Sequence, residues 1–384
     1  MAKIGIDARL WGVKHTGIGR YVEELVKSLQ QIDKENEYVL FCRNDDTRNI
    51  PEVKGWKKVI ADINHYSLKE QFTLHKVYRS ENLDLLHVPH FNVPIFYKGK
   101  FVVTIHDLLW HDLKGLSVTT LPAPAYIVKY FAYRSVVGNA IKNSQKIIVP
   151  SNFIKNDLIS KFSLPDEKIV VTYEGVSESR SGNNSESVLK EYGIKKPYLF
   201  YVGGLYPHKN VERVVNALTF LRKEQKLSDL KLVVVGSRNV FQDRFKKFLK
   251  ETGTEDVVNI IGGVDDRELS ALYKNSEAFV YATLSEGFGL PGLEAMAWQT
   301  PVLCSDIPVL KEIYKDAAIY FDPSNIISIS QSIQKIMCDK NLRSNLIKKG
   351  VKFCKTYSWT KMARETLGVY NQCINSHPTR YLQV

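Results

Sequence analysis

Short apolar runs alternate with amphipathic helical patterns along the whole chain, and this alternation restricts its possible folds more than any other feature. The runs at Ile4–Ile6 and Phe101–Ile105 have the length of strands, and Tyr21–Leu29 repeats apolar side chains at helical spacing. Similar runs occur at Tyr38–Phe41, Leu85–Val88, Ile147–Val149, Lys168–Thr172, Tyr198–Val202, Lys231–Gly236, Val257–Ile260, Ala278–Tyr281 and Val302–Cys304. Alternating strands and helices predict parallel sheets covered by helices, which is an α/β fold.

A polar stretch divides this pattern into two halves. Residues 176–196 are rich in Ser, Glu and Asn, as expected for a linker, and the alternation restarts at Tyr198. A length of 384 residues also suits two domains of ordinary size. We therefore predict a first domain over residues 1–175 and a second over 197–357, both doubly wound.

The composition is that of a globular protein, with 44% hydrophobic and 24% charged residues. The five cysteines show no Cys-x-x-Cys spacing, and Met1–Asp7 does not look like a signal peptide, so we expect a cytoplasmic protein with reduced thiols. The net charge of +12 suits solvated basic faces, phosphate-bearing substrates or an anionic membrane surface. The basic residues are spread along the chain without a nucleic-acid-binding motif, so no specific nucleic-acid partner is expected.

The segment Glu286–Glu294 carries the strongest functional pattern. Gly287 and Gly289 allow a tight turn after a predicted strand, and Pro291 suits the first position of a helix. The helix N-terminus would offer N–H groups to a phosphate, while two carboxylates would accept hydrogen bonds from sugar hydroxyls. This favours a nucleotide-sugar site, although a glycine turn with a capping glutamate would have the same residues. The candidate residues are Glu286, Gly287, Phe288, Gly289, Leu290 and Glu294.

Two other glycine-rich segments follow predicted strands. Gly203 and Gly204 precede His208 and Lys209, where the lysine could neutralise a diphosphate or simply be solvated. Gly17 and Gly19 lie ahead of an apolar helix and either expose N–H groups toward a phosphate or form an ordinary turn.

Three weaker signals remain. His106 ends a strand and could bond a reacting hydroxyl or sugar, although a lone histidine is more often structural. Tyr173–Val176 favours a turn at the domain boundary over a ligand contact. Tyr126–Arg134 contains both aromatic and basic residues. This suits a buried helix with one solvent-exposed edge or, alternatively, an interfacial membrane helix.

The Glu-x7-Glu spacing around Gly-Phe-Gly-Leu-Pro resembles the retaining GT-B glycosyltransferases of family 4, also called group 1. Thr104–Leu108 and His87–Pro94 are similar to mannosyltransferase-like members of that family. The resemblance covers nearly the whole chain. It implies two Rossmann-like domains facing across a cleft, with residues 358–384 forming a C-terminal helix and tail that cross back to the first domain.

The resemblance also implies a function. A nucleotide-diphospho-sugar would be held mainly by the second domain, with GDP-mannose as the first hypothesis and UDP-glucose-type donors next. The acceptor, a glycan or a lipid-linked acceptor of surface polysaccharide synthesis, would be held by the first. Lys209 and the N–H groups of Gly287–Leu290 would stabilise the leaving diphosphate, Glu294 would bind the ribose and Glu286 would orient the hexose. His106 would contact the sugar in the transition state.

No cofactor and no metal are expected, because no Asp-x-Asp pair follows a predicted strand. The chain also departs from the family pattern, since many members have arginine at the positions of Gly204 and His208. His208, Arg20 or Arg213 would have to replace the missing cation. Two alternatives stay open: a nucleotide-sugar epimerase or phosphorylase of the same fold, and an inactive basic protein that binds membrane or nucleic acid.

Overall fold

The structure, a computed structural model, describes residues 1–112, 119, 122–176, 185–224, 226–236 and 239–375. These residues form two units. The first contains the described residues of 1–112, 121–175 and 358–384, and the second contains those of 113–120 and 176–357. Residues 177–184, in the stretch predicted to be a linker, lie outside the described residues, and so does the tail after residue 375.

The first unit contains a parallel sheet whose seven described strands have the order β3-β2-β1-β4-β5-β6-β7. The strands are β1 (Lys3–Asp7), β2 (Glu37–Cys42), β3 (Trp56–Ile60), β4 (Leu85–Val88), β5 (Phe101–Thr104), β6 (Lys146–Val149) and β7 (Ile169–Val171). Strands β4 and β5 are buried at every position, as expected for the centre of a sheet that is covered on both faces.

Six α-helices of the described chain belong to the first unit. They are α1 (Thr16–Ile32), α2 (His75–Arg79), α3 (Leu109–Asp112), α4 (Ala123–Asn143), α5 (Asn152–Phe162) and, from the C-terminal region, α14 (Trp359–Asn375). Helix α1 buries Tyr21, Val22, Leu25 and Leu29 along one stripe and packs on α14. Ser151 caps α5 by accepting a hydrogen bond from the N–H of Ile154.

The second unit contains a parallel sheet of six described strands in the order β10-β9-β8-β11-β12-β13. These are β8 (Tyr198–Val202), β9 (Lys231–Val235), β10 (Val258–Ile261), β11 (Ala278–Tyr281), β12 (Val302–Ser305) and β13 (Ala318–Phe321). The helices of this unit are α6 (Ser185–Glu191), α7 (Val211–Lys223), α8 (Val240–Thr252), α9 (Asp266–Asn275), α10 (Leu290–Ala297), α11 (Pro308–Tyr314), α12 (Ile326–Cys338) and α13 (Lys340–Cys354).

Each sheet reverses its strand order once, between β1 and β4 in the first unit and between β8 and β11 in the second. Open parallel sheets bind ligands outside the carboxyl ends of the strands at such a switch point. In the second unit, Gly203 directly follows β8, and Glu286 lies in the loop that follows β11. The topology therefore brings these two candidate segments to the same edge of the sheet.

The prediction of two parallel α/β domains is confirmed, while some local predictions were wrong. Strands β3 and β13 were missed, because each lies at the edge of its sheet and is only partly buried, and β3 carries two lysines. Part of the expected linker is helical: α6 packs on α9 and buries Val188 and Leu189.

Helix α4 differs most from the favoured interpretation of its sequence. Its first half is not buried, since Ile127, Val128 and Phe131 are 52%, 70% and 63% exposed. Burial begins only at Val137, and it continues at Ala140 and Ile141. The described part of the chain contains no helix that is both long and apolar enough to cross a membrane.

Candidate active site

The loop after β8 holds Gly203 and Gly204. Gly203 has a φ of +145°, a backbone conformation that residues with a Cβ rarely adopt. The Tyr201 hydroxyl donates a 2.8 Å hydrogen bond to the carbonyl of Gly204 and fixes the loop. A Cβ at Gly204 would lie 2.7 Å from the Tyr206 ring, so the larger side chain that many family members have here would require Tyr206 to move.

The next turn, Pro207–Lys209, brings Lys209 to the loop that follows β11. Its Nζ lies 2.5 Å from Oε1 of Glu286, and both side chains are mostly buried. Asn210, with a φ of +59°, donates to the carbonyls of Ala282 and Pro323 at 3.0 and 2.9 Å. The predicted lysine and the first predicted carboxylate therefore meet in one place.

The charges of this pair are settled by its surroundings. Burial raises the pKa of the Glu286 carboxyl, but the charge and hydrogen bond of Lys209 outweigh burial, and the pKa lies below its usual range.

Burial and the charge of Lys209 lower the pKa of His208 to about 4, so this imidazole is neutral at pH 7. In the unliganded chain His208 therefore adds no positive charge beside Lys209. Arg213 donates to Asn210 Oδ1 at 3.0 Å.

The glycine loop ends at helix α10, as the sequence predicts. Gly289 has a φ of +96° and precedes the first residue of the helix, and Pro291 occupies the first turn. The hydroxyl of Tyr314 donates to the carbonyl of Gly289. In the helix itself, Glu294 Oε2 accepts a 3.4 Å hydrogen bond from Tyr273, whose hydroxyl also donates to the Pro291 carbonyl at 3.1 Å.

Two residues of the segment Glu286–Glu294 direct their side chains into the core. Phe288 is buried and its ring packs on Tyr357 at 5.6 Å between centroids, and Leu290 is buried as well. Because their side chains pack inside, these residues can offer a ligand only backbone groups. The N-terminus of α10 and the carboxylates of Glu286 and Glu294 are the polar groups that the segment contributes.

In the first unit, His106 follows β5 and is held at both ring nitrogens. Nδ1 lies 3.2 Å from Glu174 Oε1, and Nε2 lies 3.1 Å from the carbonyl of Pro89. Its ring also meets the edge of Tyr21, with centroids 4.7 Å apart. Tyr173–Val176 lies at the boundary of the first unit, as the sequence predicts, and the buried carboxylate of Glu174 positions this imidazole.

Gly17 and Gly19 do not form a loop ahead of the helix, because α1 already begins at Thr16. Gly19 is buried, and a Cβ there would lie 1.9 Å from the carbonyl oxygen of Gly12. The close approach of two backbone segments therefore explains Gly19 without a ligand. Gly17 is exposed, with open space where a Cβ would stand.

A buried ion cluster near the carboxyl end of β1 was not predicted. Arg9 is fully buried and donates to Asp7 Oδ2 at 2.7 Å, to Glu70 Oε1 at 2.8 Å and to the Ile63 carbonyl at 3.0 Å. Asp7 also accepts a 2.8 Å hydrogen bond from the Tyr78 hydroxyl. The only sequence signal was an arginine two residues after an aspartate at the end of a strand; its other partners are distant in sequence.

Acidic, histidine and cysteine side chains are the usual protein ligands of metal ions. Within the described ranges, no group of three or more of them could hold a metal ion. The arrangement in the second unit instead combines a lysine, a helix N-terminus and two carboxylates. Such a set can bind a diphosphate at the cationic groups and hydroxyls at the carboxylates.

Two family models match the chain. The model described as Glycosyltransferase Family 4 matches residues 15–180, and the model described as Glycosyl transferases group 1 matches residues 185–353. Together they cover most of both units.

Comparisons with individual proteins agree. The O-antigen chain mannosyltransferase B of Escherichia coli is 29% identical over 377 residues, which are 92% of this chain and 96% of that relative. The structure is similar to that of WaaG, a glycosyltransferase involved in lipopolysaccharide biosynthesis, with a TM-score of 0.75, 15% identity and coverage of 96% and 99% of the two chains. It is also similar to Anabaena HepE in complex with UDP and glucose, with a TM-score of 0.74, 14% identity and coverage of 97% and 100%. The chain thus belongs to the glycosyltransferases of family 4, or group 1, and has their GT-B fold.

Proposed function

We propose that this glycosyltransferase transfers mannose from GDP-mannose to a hydroxyl of a glycan or lipid-linked acceptor, with retention of the anomeric configuration. The observation that carries the proposal is the Lys209–Glu286 pair beside the N-terminus of α10. A cation and a helix N-terminus suit the diphosphate of a nucleotide-sugar, and the neighbouring carboxylate suits the hydroxyls of its hexose.

In this proposal, the second unit binds the donor. Lys209 and the N–H groups of Gly287–Leu290 take the negative charge that develops on the diphosphate as the glycosidic bond breaks. Fixed donors of this kind stabilise a leaving group without reorganisation during the reaction. Glu294 accepts hydrogen bonds from the ribose, and Glu286 does the same for the hexose. Gly203, Gly204 and His208 line the phosphate side.

The proposed transfer does not need a side chain that acts as a base. The acceptor oxygen attacks the anomeric carbon from the face that the diphosphate leaves, and the departing phosphate takes the proton of the acceptor. His106 contacts the sugar as positive charge develops there, held in place by Glu174 and Pro89. With Lys209 and backbone N–H groups carrying the leaving-group charge, no metal ion is needed.

Two observations support mannose as the sugar. The relative with 29% identity is called a mannosyltransferase, and the segments around His87 and His106 are similar to mannosyltransferase-like members. The HepE structure contains UDP and glucose, so UDP-glucose is the second hypothesis for the donor.

We also propose that the protein acts at the cytoplasmic face of a membrane that carries the acceptor. The exposed face of α4 supports this, because Ile127, Val128 and Phe131 lie close in sequence to Lys129 and Arg134. Apolar side chains beside cations suit the headgroup region of an anionic bilayer. The net charge of +12 acts in the same direction.

Thermal unfolding with GDP, UDP, ADP and their common sugars, in EDTA, tests the donor proposal. A ligand at a hundred times its dissociation constant stabilises the native state by roughly 2.7 kcal/mol. We expect GDP and GDP-mannose to stabilise the protein and UDP-glucose to have little effect. Stabilisation by uridine nucleotides alone would mean that the donor is a UDP-sugar and not GDP-mannose. A strict need for added Mg²⁺ would contradict metal independence. No stabilisation by any nucleotide would contradict the proposed donor site.

A further inference from the structure

Five aromatic side chains form a continuous row in the first unit, and only the last of them has a role in the proposed chemistry. We call His15, His65, Tyr66, His90 and His106 the ring row. Neighbouring ring centroids lie 5.9 Å apart for His15–His65, 6.1 Å for His65–Tyr66, 5.9 Å for Tyr66–His90 and 6.4 Å for His90–His106.

The topology explains why these residues meet. His15, His65, His90 and His106 follow the strands β1, β3, β4 and β5, respectively. Parallel strands all end at the same edge of their sheet, where ligands of open α/β folds bind. Each of four strands thus contributes one imidazole to the ligand-binding edge.

The buried ion cluster holds the middle of the row. The carboxylate of Glu70 accepts a 2.8 Å hydrogen bond from the N–H of Tyr66, and its other oxygen accepts one from Asn92 at 2.6 Å. Arg9 binds the same carboxylate and the carbonyl of Ile63. Buried charges that are paired and hydrogen-bonded in this way fix the turn His65–Tyr66.

Tyr66 has an unusual conformation for an exposed aromatic residue. Its φ is +59°, in the left-handed region, while its side chain is 54% exposed. Bulky residues adopt this region rarely, and such strain is typically maintained at sites of function. An exposed ring adds little to the core in return, which points to a ligand as the reason for a tyrosine here.

The imidazoles of the row are suited to hydroxyl groups. Burial and the nearby Arg9 charge lower the pKa of His65 to about 4, and burial and the nearby His106 lower that of His90 to about 3. Neutral imidazoles both donate and accept hydrogen bonds, as the hydroxyl groups of a sugar do. The Nε2 atoms of His15 and His65 are buried without a hydrogen-bond partner in the described part of the chain, a cost that a ligand hydroxyl can remove.

We propose that the ring row is the acceptor subsite of this enzyme and that it binds a neutral pyranose of the acceptor glycan. The face of the sugar ring packs on Tyr66, and its hydroxyls bond to His65 and His90. The inference rests on the proposed function, in which a hexose is transferred to a glycan or lipid-linked acceptor. Phe91 joins the row to α4, with its ring 5.9 Å from Tyr66 and 5.1 Å from Tyr133. A sugar on Tyr66 would therefore lie beside the helix proposed to meet the membrane.

Saturation-transfer NMR with the full chain and GDP tests the subsite. The probes are methyl α-mannopyranoside, methyl α-glucopyranoside and, as the charged counterpart, methyl β-glucuronide. We expect the wild type to bind at least one neutral glycoside in preference to the glucuronide. Tyr66→Phe keeps the ring and should bind like the wild type, whereas Tyr66→Gly should bind about tenfold more weakly, as expected for loss of one aromatic contact.

Phe72→Ala is the matched control, because Phe72 is 56% exposed in the same unit and packs on Phe96. Equal binding by wild type and Tyr66→Gly, preference for the glucuronide, or no binding by the wild type would each overturn the proposal. Thermal shifts with GDP-mannose on the wild-type sample separate the two hypotheses. A donor shift without Tyr66-dependent glycoside binding contradicts the subsite alone, whereas absence of any nucleotide shift contradicts the proposed function.

Discussion

Lys209 and Glu286 form an ion pair with 2.5 Å between Nζ and Oε1, although 77 positions separate them in the sequence. They come from the loops that follow β8 and β11, neighbouring strands on either side of the switch point. A bound diphosphate would compete with Glu286 for the lysine. In the unliganded chain, the positive charge of Lys209 and the negative charge of Glu286 therefore neutralise each other.

Lys209→Met is expected to lower the free energy of unfolding by about 3 kcal/mol at pH 7, because the buried Glu286 carboxylate keeps its hydrogen bond from Tyr281 but loses its cation. Burial, the largest influence on the pKa of Glu286, then raises it, so the folded variant binds a proton more readily than the unfolded chain. Its stability deficit should consequently shrink as the pH falls from 7 to 5. Urea unfolding at both pH values measures this.

The double variant Lys209→Met/Glu286→Gln is the control for that experiment. It removes the unpaired charge and should recover most of the lost stability at pH 7. A deficit of the single variant that does not depend on pH would show that the charge of Glu286 is not its cause.

Glu294→Ala should weaken binding of the donor nucleotide by about 10- to 100-fold, the usual loss for hydrogen bonds to a charged group. Isothermal titration with GDP measures the effect. Glu251→Ala is the matched control, since Glu251 is a 64% exposed glutamate of the same unit on α8. Equal affinities of the two variants would remove Glu294 from the proposed site.

Glu174→Gln tests whether Glu174 positions His106. The amide keeps the shape of the side chain but loses the charge that holds Nδ1. We expect kcat to fall about 10-fold or more, in line with a misplaced catalytic contact, while donor affinity measured by titration stays within about twofold. A parallel loss of donor affinity would instead indicate a general disturbance of the fold.

Replacing Ile127 and Phe131 by Ser should release the protein from anionic vesicles. Both side chains are exposed, so their loss should leave the melting temperature nearly unchanged. Lys129→Gln should weaken binding further by about 1 kcal/mol, an effect that high salt should abolish. Cosedimentation with phosphatidylglycerol vesicles is the assay, and Phe220→Ser, on α7 of the second unit, is the control.

Tyr66→Gly should raise the free energy of unfolding by roughly 0.5–1 kcal/mol, because glycine adopts a positive φ without strain. Tyr66→Asn should shift stability in the same direction, since asparagine tolerates the left-handed region. Thermal unfolding of the three proteins measures this. A destabilised glycine variant would mean that the tyrosine ring supports the fold.

Much of the architecture could be predicted from the sequence. Central strands such as β9 and β11 are continuous apolar runs of strand length, because both of their faces are buried. Edge strands lack this signature. The sequence of β3 is Trp-Lys-Lys-Val-Ile, and its two lysines interrupt the apolar run by which a strand is recognised. The helix α10 was also predictable, since glycine and proline mark its start.

The candidate site was predictable where the residues lie in one segment. Glu286, Gly289 and Glu294 share a short stretch with recognisable turn chemistry, whereas Arg9 and Glu70 are 61 positions apart. Contacts across such distances depend on which strands become neighbours, and a single sequence does not specify that. Exposure of α4 was missed for a related reason, because an apolar helix has the same composition on a surface as in a core.

Helix α14 has a consequence for how the chain is made. The Tyr370 hydroxyl forms a 2.6 Å hydrogen bond with Nδ1 of His87, which lies 283 positions earlier in the sequence. Met362, Ala363 and Val369 of the same helix are buried in the first unit. All described strands of that unit have been synthesised by Val171, yet α14 begins only at Trp359. At roughly 5–20 residues per second, the ribosome needs about 10–40 s to cover this interval. The unit translated first must therefore wait for α14, with His87 and the packing face of α1 uncovered, until the second unit has been synthesised.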